Sequence, residues 1–398
     1  MLERARARFC TARVRFVSVP GPAGTRQLAG SAGRCRPSRS GADNLADLDA
    51  DPVLETRAAA GQAGGLAGVG GGDHDIPRQG RARRIAATLA GQGAHRAHLV
   101  SHVDDRGAEA RVALTLRLLC GLTTGEVASA FLVSEPTMAA RITRAKKKIA
   151  AARIPYRVPP ASELPDRLAA VLDVVHLLFT TGHTAPAGQQ LQRRDLAERA
   201  LDLARMLRHL LPGDPAVAGL LALILLTDAR RHTRTTTDGQ LVILAEQDRT
   251  RWDRTEINEG LALIRTALEP RPPTRYALMA AIAAVHAAAP RWEATDWQQI
   301  TDLYDALTQI WPSPVVALNR AIAIGEARGP QAGLAALDQL ATEPQLAGYH
   351  YLPAARAEFL RRLYRTDDAR LAYHEARLLA DNPIERDFLT RRLGELDR

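Results

Sequence analysis

Residues 121–149 read Gly-Leu-Thr-Thr-Gly-Glu-Val-Ala-Ser-Ala-Phe-Leu-Val-Ser-Glu-Pro-Thr-Met-Ala-Ala-Arg-Ile-Thr-Arg-Ala-Lys-Lys-Lys-Ile. Thr123 and Glu126 have the spacing of a capping box, in which the hydroxyl takes a first-turn amide while the carboxylate reaches back to the cap. A short helix is therefore expected to begin here. Phe131, Leu132 and Val133 make an apolar turn, and Ser134 is a good N-cap for a second helix. Pro136 falls near its start, where a missing amide costs no hydrogen bond. Two short helices joined by a brief turn, the second of them basic, form a helix-turn-helix pattern. Upstream, Val112, Leu116 and Leu119 recur at helical spacing, and Gly121 is placed to end that preceding helix.

The second helix divides into two stripes. Met138, Ile142, Ala145 and Ile149 are spaced to pack on the preceding helices. Thr137, Arg141, Arg144 and Lys148 form the other stripe, with Lys147 beside it and Ala140 among them. The chain carries 53 Lys+Arg, yet its lysines all sit in one run, Lys146, Lys147 and Lys148. Such a run reads either as a solvated helix face or as an element that docks on DNA phosphates. The helix-turn-helix context favours the second. Arg141 and Arg144 are then candidates for bidentate contact with guanine edges, and the three lysines for phosphate contact.

Residues 108–154 contain Leu-Arg-Leu-Leu-Cys-Gly-Leu-Thr-Thr-Gly-Glu-Val-Ala, Phe-Leu-Val-Ser-Glu-Pro-Thr-Met-Ala and Arg-Ala-Lys-Lys-Lys-Ile. This stretch resembles region 4 of bacterial extracytoplasmic-function sigma factors. Asp238-Gly239 through Asp248-Arg249 and Trp252, Thr295-Asp296-Trp297, and Pro314-Val315-Val316-Ala317-Leu318-Asn319-Arg320 resemble the subgroup with a long TPR-like C-terminal extension. The resemblance implies that the basic helix reads a −35 promoter element. It also implies that the domain touches the β-flap of the RNA polymerase core enzyme. Region 2, which opens the −10 element in that family, is not recognisable upstream.

Residues 1–106 instead hold 15 of the chain's 29 glycines and two aromatics, Phe9 and Phe16, and the first forty carry nine arginines against one acid, Glu3. A composition this rich in glycine and arginine and this poor in aromatics, with no sustained apolar periodicity, cannot offset the entropy of ordering, so the segment is expected to be largely disordered. It could be a basic nucleic-acid arm, a transit peptide, or an out-of-frame reading of GC-rich DNA. Asp43, Asp47, Asp49 and Asp51 argue against the transit peptide. The abrupt start of the family pattern near Ala108 favours the frame reading, and on it the chain as written is expected not to initiate transcription alone.

The 398 residues, 46% hydrophobic, suffice for two or three domains. A net charge of +9 and a pI near 10.0 favour an acidic polymeric partner. No apolar stretch reaches membrane-spanning length, so no membrane partner is expected and the location is expected to be cytoplasmic. Cys10, Cys35 and Cys120 lack metal or disulfide spacing, and Cys120 reads as a small buried residue.

Pro155, Pro159, Pro160 and Pro165 mark a linker over 155–165, and nearly everything beyond is helical by pattern. Leu168, Val171, Leu172 and Val175 lead into an apolar run, 196–211 is amphipathic, and 220–226 is apolar on all sides and should be central. Gly333, Ala336, Leu337 and Leu340 recur 36 residues later as Ala369, Ala372, Tyr373 and Ala376, near the TPR period of about 34. Tyr364 stands where a TPR has glycine, so that turn is expected to be distorted. A TPR-like array would offer a concave surface to an unknown protein or peptide.

His183, His232, His286 and His350 are scattered, without the spacing of a helical metal site. Asp248, Arg249 and Trp252 read as a buried Asp–Arg pair bracing the helical domain. No cofactor, metal or catalysis is expected.

The fold expected is all-α, with domains at 107–154 (helix-turn-helix), 166–290 (helical) and 291–398 (TPR-like). The function expected is promoter binding as a sigma factor-like transcription initiation protein. The alternative is a TPR-type interaction or regulatory protein with a residual DNA-binding domain.

Overall fold

Helix caps and glycine turns account for where the first elements begin and end. The computed structural model describes residues 108–152 and 164–397, all within one compact unit. The expectations for residues 1–106, and for the linker up to residue 163, lie outside the described residues. Helix α1 spans Ala108–Leu118, α2 Thr124–Ala130 and α3 Glu135–Ala152. Gly121 ends the first turn at φ +79°, a conformation that costs little only without a Cβ. The capping box forms as expected: Thr123 Oγ1 accepts from the Glu126 amide at 3.1 Å, and Glu126 Oε2 accepts from the Thr123 amide at 2.7 Å. An intact cap of this kind contributes about 1 kcal/mol.

Eleven further helices follow: α4 Leu164–His183, α5 Arg194–Leu210, α6 Pro215–Asp228, α7 Arg254–Ala267, α8 Arg275–Ala288, α9 Trp297–Ile310, α10 Pro314–Arg328, α11 Pro330–Asp338, α12 Tyr351–Arg362, α13 Thr366–Leu379 and α14 Pro383–Glu395. The described residues contain no strand, only an isolated antiparallel bridge between Thr235 and Leu241 around the 236–240 turn. Helix α4 begins at Leu164, inside the stretch read as linker, because a proline at the second helical position sacrifices no hydrogen bond. Val171, counted above with the apolar stripe, is 42% exposed.

Helix α6 is the centre of the molecule. Asp214 caps it by accepting from the Ala216 and Val217 amides, and every residue from Val217 to Asp228 is buried. It packs against α4, α5, α7 and α8. From α9 onward each helix packs on the next. Gly325 on α10 and Gly333 on α11 face the Phe359 ring of α12 so closely that a Cβ on either would overlap it. The ring seals the junction of the three helices.

Tyr364, between α12 and α13, adopts φ +59°. The expected distortion does not occur: the tyrosine takes the left-handed conformation a glycine would have taken, and the Arg365 amide still closes onto Leu360 O at 2.9 Å. The last helix returns toward the first part of the array. Asn382, fully buried, caps α14 through the Ile384 amide while its Nδ2 donates to Ala185 O at 2.9 Å.

The Asp248–Arg249 pair expected from sequence is not what braces α8. Asp248 is exposed, and its carboxylate accepts from the amide and hydroxyl of Thr250. Arg249 is buried without it, donating to His286 O at 2.7 Å and Ala289 O at 2.9 Å, with Trp252 5.0 Å from its guanidinium. The carbonyls left over at a helix C-terminus are the physical reason, since they offer a buried cation partial negative charge.

Candidate nucleic-acid interface

Helix α3 owes its orientation to its apolar seam. Met138, Ile142 and Ala145 are 1%, 7% and 5% exposed, and Ile149 is partly buried on the same core. Burying side chains the size of Met138 and Ile142 stabilises by about 1.5–3 kcal/mol each, which holds the helix in one rotation against α1 and α2. The turn before it places Leu132 at φ +53° and packs Phe131, Leu132 and Val133 on the core. At its start the Ser134 and Thr137 hydroxyls lie 2.8 Å apart, and Ser134 Oγ also accepts the Thr137 amide at 3.4 Å.

The rest of the helix surface is open. Thr137, Ala140, Arg144, Lys146, Lys147 and Lys148 are all exposed. At about 100° per residue, Thr137, Ala140, Arg141, Lys147 and Lys148 all lie within about 60° of Arg144 around the helix. Lys146 lies about 160° from Arg144 and next to the buried seam at Ile142. The lysine run is therefore split, two residues on the Arg144 face and one away from it. Arg144 folds its Nε toward Ala140 O at 3.3 Å. Arg141 differs from its neighbours: its Nη1 donates to Glu109 Oε2 of α1 at 2.8 Å.

The first helix is anchored from behind. Val112, Ala113, Leu114 and Leu116 are all buried, because α1 packs on α3 and also on α4. Two polar links join the helix-turn-helix to α5 and its N-cap residue. Arg199 Nη2 donates to Leu119 O at 3.2 Å, and Arg193 Nη1 meets Glu126 Oε1 at 2.9 Å. Glu126 thus serves two elements, one oxygen closing the capping box and the other holding Arg193. Hydrogen bonding to Asp195 raises the Arg193 guanidinium pKa further above its ordinary value. Cys120 is buried behind this helix-turn-helix, and desolvation pushes its thiol up to about 11. The exposed basic face and the buried seam were both legible in the sequence. Glu109, Arg193 and Arg199 were not, because their partners lie 32 to 80 residues away with no local pattern linking them.

Among the described residues no group of three or more histidines, cysteines and carboxylates could hold a metal, and no helix is long and apolar enough to cross a membrane. Two buried carboxylates of the helical array share one cation. Arg231 links Asp228 at 2.9 Å and Glu256 at 2.8 Å, while desolvation raises both carboxyl groups above their ordinary range.

The uncharacterized protein R00370 of Rhizobium meliloti (strain 1021) is 43% identical to this chain over 286 residues, covering 72% of this chain and 67% of its own length. The chain belongs to the R00370 family. Within this R00370-family chain, residues 108–149 match Sigma-70, region 4, and residues 167–268 match a family of unknown function, DUF6596. The first match spans α1, α2 and most of α3, so the helix-turn-helix described above is a sigma-70 region 4 domain, a DNA-binding domain of the transcription machinery. The second spans α4 to α7. No solved structure matches the chain.

Proposed function

We propose that this chain is a sigma factor-like transcription initiation protein of the extracytoplasmic-function type, acting in the cytoplasm. Helix α3 enters the major groove of a −35 element while the domain engages the RNA polymerase core enzyme at its β-flap. The observation that carries this reading is the division of α3: a buried Met138–Ile142–Ala145 seam behind, and an exposed Thr137, Ala140, Arg144, Lys147 and Lys148 face in front. A helix held in fixed rotation by its core can hold a guanidinium in register with one base pair.

Functionally the chain divides at 107–154, 166–290 and 291–398, the last a TPR-like set of helical pairs. Support for the TPR-like reading comes from the 36-residue recurrence, with Gly333 and Ala369 both buried at helix contacts. That module would receive a protein or peptide segment. The reading assigns no catalytic step to the chain.

The test is co-elution of the full chain with core polymerase, together with footprinting on selected DNA. Arg144→Ala should cost about 1–3 kcal/mol at one base pair and little elsewhere. Equal weakening on cognate and scrambled DNA would make Arg144 a phosphate contact. Failure to co-elute, with no DNA protected, would leave the interaction-module alternative.

A further inference from the structure

Most polar residues on the exposed face of α3 reach for solvent or their own helix, but Arg141 is held from outside. Its Nη1 lies 2.8 Å from Glu109 Oε2, in the first turn of α1. The Arg141 side chain is 34% exposed and that of Glu109 67%. An ion pair this open adds little to stability, because solvent screens it and two long side chains must be ordered. It has a geometric consequence instead. Helix α1 is a fixed support, since Val112, Leu114 and Leu116 are buried and Leu119 O is bonded to Arg199. A carboxylate mounted on that support restricts where the guanidinium fork can point.

We infer that Glu109 is a positioning residue for base selection: by holding Arg141 it presents the guanidinium to DNA in one orientation and so narrows the base pair accepted at the position Arg141 faces. This rests on the DNA-reading function proposed above and names the device that sharpens it. An unrestrained arginine beside a phosphate-rich groove can satisfy itself on any nearby phosphate, which weakens sequence choice and strengthens indiscriminate binding. A restrained one must find an acceptor pair where it already points, and guanine O6 and N7 match its fork. Glu109 also carries a negative charge at the edge of the reading face, which opposes docking on unselected DNA.

The experiment uses the full chain and a pool of randomised duplexes, with selection by the wild type followed by binding assays on each single-base variant of the selected sequence. Glu109→Gln should keep the same preferred sequence but lower discrimination at one base pair by up to about fivefold, the most that an ion pair this exposed can supply in orienting Arg141. The same variant should bind unselected DNA more tightly and add about 0.9 to the salt slope, as the released arginine gains a phosphate. Glu109→Asp should restore part of the discrimination. With Arg141→Ala already present, Glu109→Gln should change discrimination no further. Thermal melting should be nearly unaffected throughout.

Unchanged base preference in Glu109→Gln, with the wild type selective, would overturn the inference and leave the pair a surface strut. A wild type that selects no sequence would overturn the promoter reading itself, and this inference with it.

Discussion

Replacing Lys146, Lys147 and Lys148 one at a time by Gln should divide a run that looks uniform. All three are exposed, so exposure does not separate them; rotation does. Lys147 and Lys148 lie about 60° and 40° from Arg144, and Lys146 about 160° away beside the seam residue Ile142. A helix lying in a groove with its seam against its own domain can place the first two against a backbone. It turns the third away from the groove. Each phosphate contact contributes about 0.9 to the slope of log K against log salt. Lys147→Gln and Lys148→Gln should therefore each flatten the slope by about 0.9, Lys146→Gln by almost nothing, and the triple variant by about 1.8 rather than 2.7. Between 50 and 200 mM salt that leaves the triple variant about tenfold less salt-sensitive than the wild type. Fluorescence anisotropy on a labelled duplex, titrated at several salt concentrations, reads this directly. Three equal losses would refute the rotation argument, and no loss at all would refute phosphate contact by the run.

Three further outcomes follow from the packing. Arg249→Met should lower unfolding stability by about 2–4 kcal/mol, because it removes charge-assisted bonds to two buried carbonyls, His286 O and Ala289 O; urea denaturation measures it, and a loss below about 1 kcal/mol would show that those carbonyls find water instead. Tyr364→Gly should stabilise by about 0.5–1 kcal/mol, since it relieves a non-glycine left-handed residue whose side chain is 92% exposed; Tyr364→Ala, which keeps the strain, is the control, and a glycine variant no more stable than it sinks the argument. Cys120, with its thiol raised to about 11, should be almost wholly protonated at pH 8 and gain thiolate only as pH approaches that value. Peptide-level mass spectrometry after brief alkylation at pH 8 should find it unmodified in the folded protein and labelled once urea is added.

The extent to which sequence disclosed this molecule depends on the range of the interaction concerned. The capping box at Thr123 and Glu126 is a three-residue device, and it formed as its spacing implied. The Met138–Ile142–Ala145 seam is likewise local, because helical periodicity alone puts those residues on one side. The all-round apolar stretch 220–226 announced a central helix for the same reason, having no face fit for water. Asp248 and Arg249 show where local reading stops. Adjacent opposite charges suggested a pair, yet the arginine found the end of α8, 37 to 40 residues on, and the aspartate turned to Thr250. Tyr364 is instructive in the other direction: the wrong residue type for the turn was accommodated because α12 and α13 are packed on both sides of it and over-determine its backbone.

What the amino-acid sequence determined by itself, then, is the helical class, the helix-turn-helix and the basic face, all set by contacts within one or two helical turns. Only the tertiary structure decided that Arg141 is tethered to Glu109, that Glu126 caps its own helix while holding Arg193, and that Asn382 ties α14 to the loop after α4. Those links join residues 32, 67 and 197 positions apart. A charged or amide side chain carries no mark of which distant partner it will meet. Burial of the apolar seams brings the backbones together first, and the polar groups then pair with whatever that packing has placed within reach.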